Sequence, residues 1–188
     1  MDFKIAEGVR RFLIKAHKAG YAAGDAANKR KEEDSSETIV YHDGDWDFKD
    51  NYFGGEPYGG REVVSYKGKV VWVMVYYGSV VEGYDPKLIH PFLQKALQEA
   101  PNIAPYRGPE NYHGEDISAK EWRALAKASH IHRRWPWKSG LKMNLWYENE
   151  WKGLPDSFYG RESISVSTLW GSIEIYSARY MGGLVNQL

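Results

Sequence analysis

Gly60-Arg61-Glu62-Val63-Val64-Ser65 and Gly160-Arg161-Glu162-Ser163-Ile164-Ser165 share the form Gly-Arg-Glu-x-(Val/Ile)-Ser at a spacing of one hundred residues in a chain of 188. Similarity extends outward from both blocks. Tyr41, Trp46 and Tyr58 precede the first block as Tyr147, Trp151 and Phe158 precede the second. Beyond the blocks, Val71-Trp72 matches Ile175-Tyr176, Tyr76 matches Tyr180, Gly78 matches Gly182, and Val80-Val81 matches Leu184-Val185. Such internal similarity marks a repeated supersecondary unit. Each β-rich region also follows a helical stretch, so the unit reads as a helix plus a three- or four-stranded meander. One such meander is marginal alone, so the two copies are expected to join into one sheet or to pack face to face. The expectation is an α+β fold over residues 1–188: an antiparallel sheet built from two pseudo-symmetric helix-plus-β-meander repeats, approximately 1–100 and 101–188, with packed helices.

The flanking segments support this reading. Ile5, Val9, Phe12, Leu13 and Ala16 recur at helical spacing. Residues 24–37, GDAANKRKEEDSSE, read as an exposed, mobile charged loop, with a flap over a site as the alternative. Val70–Tyr77 is apolar on both parities and predicts a central strand covered on both faces. Asp85-Pro86 is a helix start, and Leu88, Ile89, Phe92, Leu93, Ala96 and Leu97 form the stripe behind it, with Pro91 inside. Residues 101–116 read as loop, and Ser118 with Glu121 as a capping box.

Alternation along a strand places Glu162 on the face of Ile164 and Val166, and Glu62 on the face of Val64 and Tyr66. The same count puts Glu174 with Tyr176 and Tyr180. A carboxylate on a core face costs several kcal/mol unless it is paired or hydrogen-bonded. These glutamates are therefore either structural anchors or functional groups in an aromatic pocket. The aromatic supply is large, with 8 Trp and 14 Tyr. Arg107, in a Pro- and Gly-rich loop, is a partner for a carboxylate or a ligand anion.

Other function classes are constrained by composition. Lys plus Arg and Asp plus Glu both number 25, so net charge is zero, which argues against a general nucleic-acid binder. The Arg133–Lys138 stretch, with Lys142 and Trp146, still has the composition of a base-stacking platform. No apolar run approaches the ~20 residues of a membrane helix, and the charged N-terminal stretch does not read as a signal peptide. There are no cysteines, which suits a cytoplasmic protein without disulfides. His130 and His132 do not complete a metal site, and no metal or other cofactor is expected. The Gly54–Gly60 run lacks the Lys-Ser/Thr ending of a phosphate loop and reads as hairpin geometry.

The segments FLIKAHKAGYAAG, DGDWDFKDNYFGG, YGGREVV, VVWVMVYYGSVV, PYRGPENY, FYGRESI and YMGGLV together resemble a domain-of-unknown-function family of bacteria and archaea. Its members occur alone or behind an XRE-type helix-turn-helix. The resemblance covers roughly residues 10–185, and departs from the family pattern in the charged loop at 24–37, the longer insert at 113–140, and the lack of a helix-turn-helix extension. It implies a soluble α+β domain and, by association with regulators, effector binding. It implies no reaction and transfers no catalytic residue. The expected function is a small-ligand-binding domain, sensory or regulatory, with Asp50, Glu62, Trp72, Tyr76, Arg107, Glu162, Tyr176 and Tyr180 as candidate contacts. The alternatives are a carboxylate-based hydrolase using Glu62 and Glu162, and nucleic-acid binding through residues 133–146.

Overall fold

The computed structural model describes residues 3–100, 107–125, 143–168 and 171–186. Helix α1 (Phe3–Ala19) leads through a 3-10 turn (Tyr21–Ala26) into strands β1 (Lys29–Lys31), β2 (Glu37–Asp43), β3 (Trp46–Phe53), β4 (Tyr58–Tyr66) and β5 (Lys69–Val80). Helix α2 (Pro86–Gln98), strand β6 (Asn111–Ile117) and the short helix α3 (Ala119–Leu125) follow. The chain then closes with β7 (Met143–Leu154), β8 (Ser157–Thr168) and β9 (Gly171–Leu184). The nine strands of the described residues form one antiparallel sheet in the order β1-β2-β3-β4-β5-β9-β8-β7-β6.

This corrects the expected α+β class. The protein is sheet-dominated, and its few helices do not form half of a repeating unit: α1 precedes a five-stranded run, whereas α2 and α3 flank β6. The physical reason is the β5–β9 pairing. It joins the last strand of each run, removes two unpaired edges, and lets one continuous sheet supply most of the buried surface.

Strand register relates the two β runs. Tyr76 pairs with Tyr180, Trp72 with Leu184 and Val80 with Tyr176, a pattern that maps onto itself when β5 and β9 are exchanged. Each run carries a register shift at the same point, Val64/Ser65 and Ile164/Ser165. Glu62 faces Asp50 across β3–β4, and Glu162 faces Asn149 across β7–β8. Asn149 is thus the counterpart of Asp50, Tyr147 of Phe48, and Trp151 of Tyr52. The aromatic matches drawn from sequence, Tyr41 with Tyr147 and Trp46 with Trp151, are displaced from this register.

Helices α1 and α2 pack on one face of the sheet. Val9, Phe12, Leu13 and Ala16 of α1 bury Phe48, Val64, Trp72 and Met74. Ile89, Phe92, Leu93 and Leu97 of α2 bury Tyr147, Ile164, Val166 and Tyr176. β5 is central as expected, but it is not covered on both faces: Val75 and Tyr77 point outward, Tyr77 with 60% of its surface exposed. Asp85 caps α2 by accepting from the Lys87 N–H at 3.0 Å, and α2 continues through Pro91. The Ser118–Glu121 capping box forms reciprocally. The stretch expected to be a charged loop instead adds β1 to the sheet edge, pairing Lys29–Lys31 with residues 37–39. Its turn is held by Asp34, which accepts from both the N–H and the hydroxyl of the buried Ser36.

Candidate functional site

In each Gly-Arg-Glu block, alternation turns Gly and Glu inward and Arg outward. Glycine is required because a tyrosine from the next strand crosses it. A Cβ at Gly60 would stand 2.6 Å from the Tyr76 hydroxyl, and a Cβ at Gly160 would overlap the Tyr180 ring. Through these gaps Tyr76 donates to Asp50 Oδ1, and Tyr180 donates to Asn149 Oδ1 at 2.6 Å.

The glutamates take different surroundings. Glu162 is fully buried, at 0% exposure. Its Oε1 accepts from Arg107 Nε at 2.8 Å and Tyr176 at 2.8 Å, and its Oε2 from Tyr147 at 2.9 Å. Burial, reinforced by the Glu162 charge, raises the Tyr147 and Tyr176 phenols well above their ordinary value, so both stay protonated donors. Burial acts against the Arg107 charge, but Glu162, Tyr58, Tyr176 and Glu62 outweigh it and hold the guanidinium protonated. Arg107 also lies 3.6 Å from Glu62 Oε1 and 4.8 Å over the Tyr76 ring.

Glu62 opens onto a cavity of about 250 Å³ instead. The cavity lies between the helices and the β2–β5 side of the sheet. α1 and the following turn contribute His17, Tyr21 and Ala22. Phe48, Asp50 and Tyr52 come from β3, Tyr58 and Glu62 from β4, Tyr76 from β5, and His90 and Leu97 from α2. Arg107 reaches it from the loop before β6. His17 Nε2 meets Glu62 Oε2 at 2.6 Å. Glu37, from the stretch read as a loop, borders the cavity and accepts from the Tyr52 hydroxyl at 2.5 Å. Asp50 is the perturbed acid here. Burial and the neighbouring Glu62 carboxylate raise it from 3.8 to about 7, against the opposing pull of Tyr76, Arg107 and His17.

Among the sequence candidates, Asp50, Glu62, Tyr76 and Arg107 border the cavity. Glu162 and Tyr176 form the buried cluster behind Arg107, while Tyr180 serves Asn149. Trp72 is buried in the core under α1, with its ring stacked on Phe158 at 5.7 Å. Glu174 is not core-facing. The register shift after Ile164 makes Ile175 the extra residue, and Glu174 turns to the surface, 2.5 Å from Arg161. His17, Tyr21, Tyr58 and His90 escaped the sequence reading. Tyr58 was seen only as a repeat match, and the others lie on helices or turns whose apolar neighbours carried the pattern. His130, His132 and residues 133–142 lie outside the described residues. Trp146 sits on β7 with its ring 3.8 Å from that of His113. Among the described residues no group of three or more His, Asp or Glu could hold a metal ion, and no helix is long and apolar enough to cross a membrane.

The geometry predicts unequal responses to neutralising the glutamates. Glu162→Gln places an amide NH₂ against Arg107 or a tyrosine donor and should cost roughly 2–3 kcal/mol. Glu62→Gln should cost less than about 1 kcal/mol, because the His17 ring can change tautomer to suit an amide. Urea melts of the two variants check this; equal losses would contradict it.

Comparison with known proteins places the cavity residues Asp50, Glu62, Tyr76 and Arg107 inside a recognised sequence domain. No curated protein and no solved structure matches the chain. Residues 50–133 match a domain of unknown function, DUF5680.

Proposed function

We propose that the protein binds a small polar ligand in the cavity between α1, α2 and the β2–β5 side of the sheet, as a sensory or regulatory module of the cytoplasm. The observation that carries this reading is the Asp50–Glu62 pair. Two carboxylates stand opposite each other on adjacent strands, almost fully buried, at the wall of a cavity lined with aromatic rings. Stability alone does not favour a like-charge pair in such a place, whereas a ligand site uses it. The resemblance to a family whose members occur alone or behind XRE-type helix-turn-helix regulators supports the sensory role. Native mass spectrometry of protein drawn from cell extract tests the reading. A bound small molecule is expected on the unmodified chain and absent from Ala22→Phe, which fills the cavity wall. A mass retained equally by both would remove the cavity as the site.

A carboxylate-based hydrolase is the second reading. The observation favouring it is that Asp50, raised to about 7, stands beside Glu62, an arrangement suited to an acid and a base working together. The pair facing the cavity is then Asp50 and Glu62, since both Glu162 oxygens are engaged by Arg107, Tyr147 and Tyr176. Turnover of a chromogenic glycoside or ester panel, lost in both Asp50→Asn and Glu62→Gln, would move the assignment to this reading.

A further inference from the structure

Register makes Asp50 and Asn149 counterparts, and each accepts the hydroxyl of its own run's tyrosine. Their surroundings then diverge. In the second run the chain covers the position itself. Arg107, Gly108 and Pro109 are buried there, and a Cβ at Gly108 would overlap the Tyr147 hydroxyl. Asn149 donates its side-chain amide to the Gly108 carbonyl at 3.4 Å and its backbone N–H to Glu110 at 2.9 Å. The guanidinium at the head of this segment neutralises Glu162.

Among the described residues the first run has no such cover at the equivalent place. Phe48 and Asp50, the counterparts of Tyr147 and Asn149, border the cavity. Asp50 is 6% exposed and accepts the Tyr76 hydroxyl through Oδ1. Among the described residues three buried carboxylates, Asp50, Glu62 and Glu162, face one permanent cation, Arg107. That guanidinium is already shared between two of them, so among the described residues an anion would find no unpaired cation here.

We infer that the open half-site takes a small organic cation, an ammonium, amidinium or guanidinium group on a compact aromatic or aliphatic body, seated against Asp50 and Glu62 where the second run is filled by its own Arg107–Pro109 segment. This rests on the pocket-binding reading above and names its ligand class. The carboxylates supply the charge, and the rings of Phe48, Tyr52, Tyr58 and Tyr76 supply the aromatic wall that cations favour. Recognition is coupled to protons. The titratable groups facing Asp50 and the cavity are His17 from α1, Tyr21 from the following turn, Glu37 from β2, Tyr52 from β3, Glu62 and Tyr58 from β4, Tyr76 from β5, His90 from α2, and Arg107. Because Asp50 holds its proton to about pH 7, a cation displaces that proton, and affinity rises by about tenfold between pH 6 and 8.

Titration calorimetry on the full chain tests this with benzamidinium and phenethylammonium as cations, and benzamide and benzoate as neutral and anionic controls. The expected result is binding of the two cations alone, about tenfold tighter at pH 8 than at pH 6. Asp50→Asn should weaken cation binding at least tenfold at pH 8 and flatten the pH dependence. It should still fold, because Asn149 shows that an amide accepts the tyrosine hydroxyl at this position. Glu62→Gln provides the second variant and should weaken binding similarly. Benzoate or benzamide binding as tightly as the cations, and lost in Ala22→Phe, would overturn the cation inference and leave pocket binding standing. Binding by no probe would also overturn it, and pocket binding then stands or falls by the mass-spectrometric result. Cation binding unaffected by both carboxylate variants would place the ligand elsewhere and overturn the assignment.

Discussion

Arg107→Met is expected to destabilise the protein by roughly 3–5 kcal/mol, the cost of leaving a buried carboxylate without its cation. Glu162 has no exposure to water, and its remaining partners, Tyr147 and Tyr176, are neutral donors that cannot balance its charge. Glu62 loses its contact with the same guanidinium. A double-mutant cycle separates charge from packing. In a Glu162→Gln background no full charge is stranded on that side, so the same Arg107→Met step should cost only about 1–2 kcal/mol, chiefly from lost packing and hydrogen bonds. Equal costs in both backgrounds, measured by urea denaturation, would mean that Arg107 acts by filling space.

Asp50→Asn is expected to act in the opposite direction and to depend on pH. Asp50 titrates near its ordinary 3.8 in the unfolded chain and at about 7 in the folded one, so the folded state binds the proton more tightly. The stability linked to that proton is complete below about pH 4 and is lost as pH rises through 7. A displacement of this size corresponds to at most about 4 kcal/mol. Asparagine keeps an acceptor for the Tyr76 hydroxyl and carries no charge to desolvate. The variant should therefore match the unmodified protein near pH 4 and exceed its stability by roughly 2–4 kcal/mol at pH 8. Thermal or urea melts at the two pH values check this; a difference that does not grow with pH would show that Asp50 is ionised throughout. Together with the calorimetric test, this outcome would describe a residue retained against stability, as expected for a group kept for binding.

The two predictions share one cause, a buried charge set whose balance is divided unequally between related halves. Arg107 closes one side permanently. On the other side a proton on Asp50, exchangeable near neutral pH, stands in for a cation, and the His17 ring hydrogen-bonds Glu62.

Features that depend on local periodicity were legible in the chain before any fold was known. Alternation within Gly-Arg-Glu-x-(Val/Ile)-Ser put Glu62 and Glu162 on the inner face, and both are buried. Helical spacing located the apolar stripes of α1 and α2, and the Asp85 and Ser118 caps were legible because a cap is a contact among close chain neighbours. Parity counting failed at Glu174, where a register shift inserts one residue and changes the face that follows; such a shift belongs to strand pairing and leaves no local signature. Which strands join the two runs was hidden for the same reason, since the β5–β9 pairing joins strands about a hundred residues apart. Tertiary structure alone decided which glutamate is an anchor and which faces the cavity. The two lie in nearly identical blocks, and the distinction comes from where Arg107 and the Gly108–Pro109 segment settle. It also revealed the Asp50–Asn149 correspondence, which stands at an offset of ninety-nine residues, one short of the block spacing, and emerges only from pairing each residue with its glutamate across the neighbouring strand.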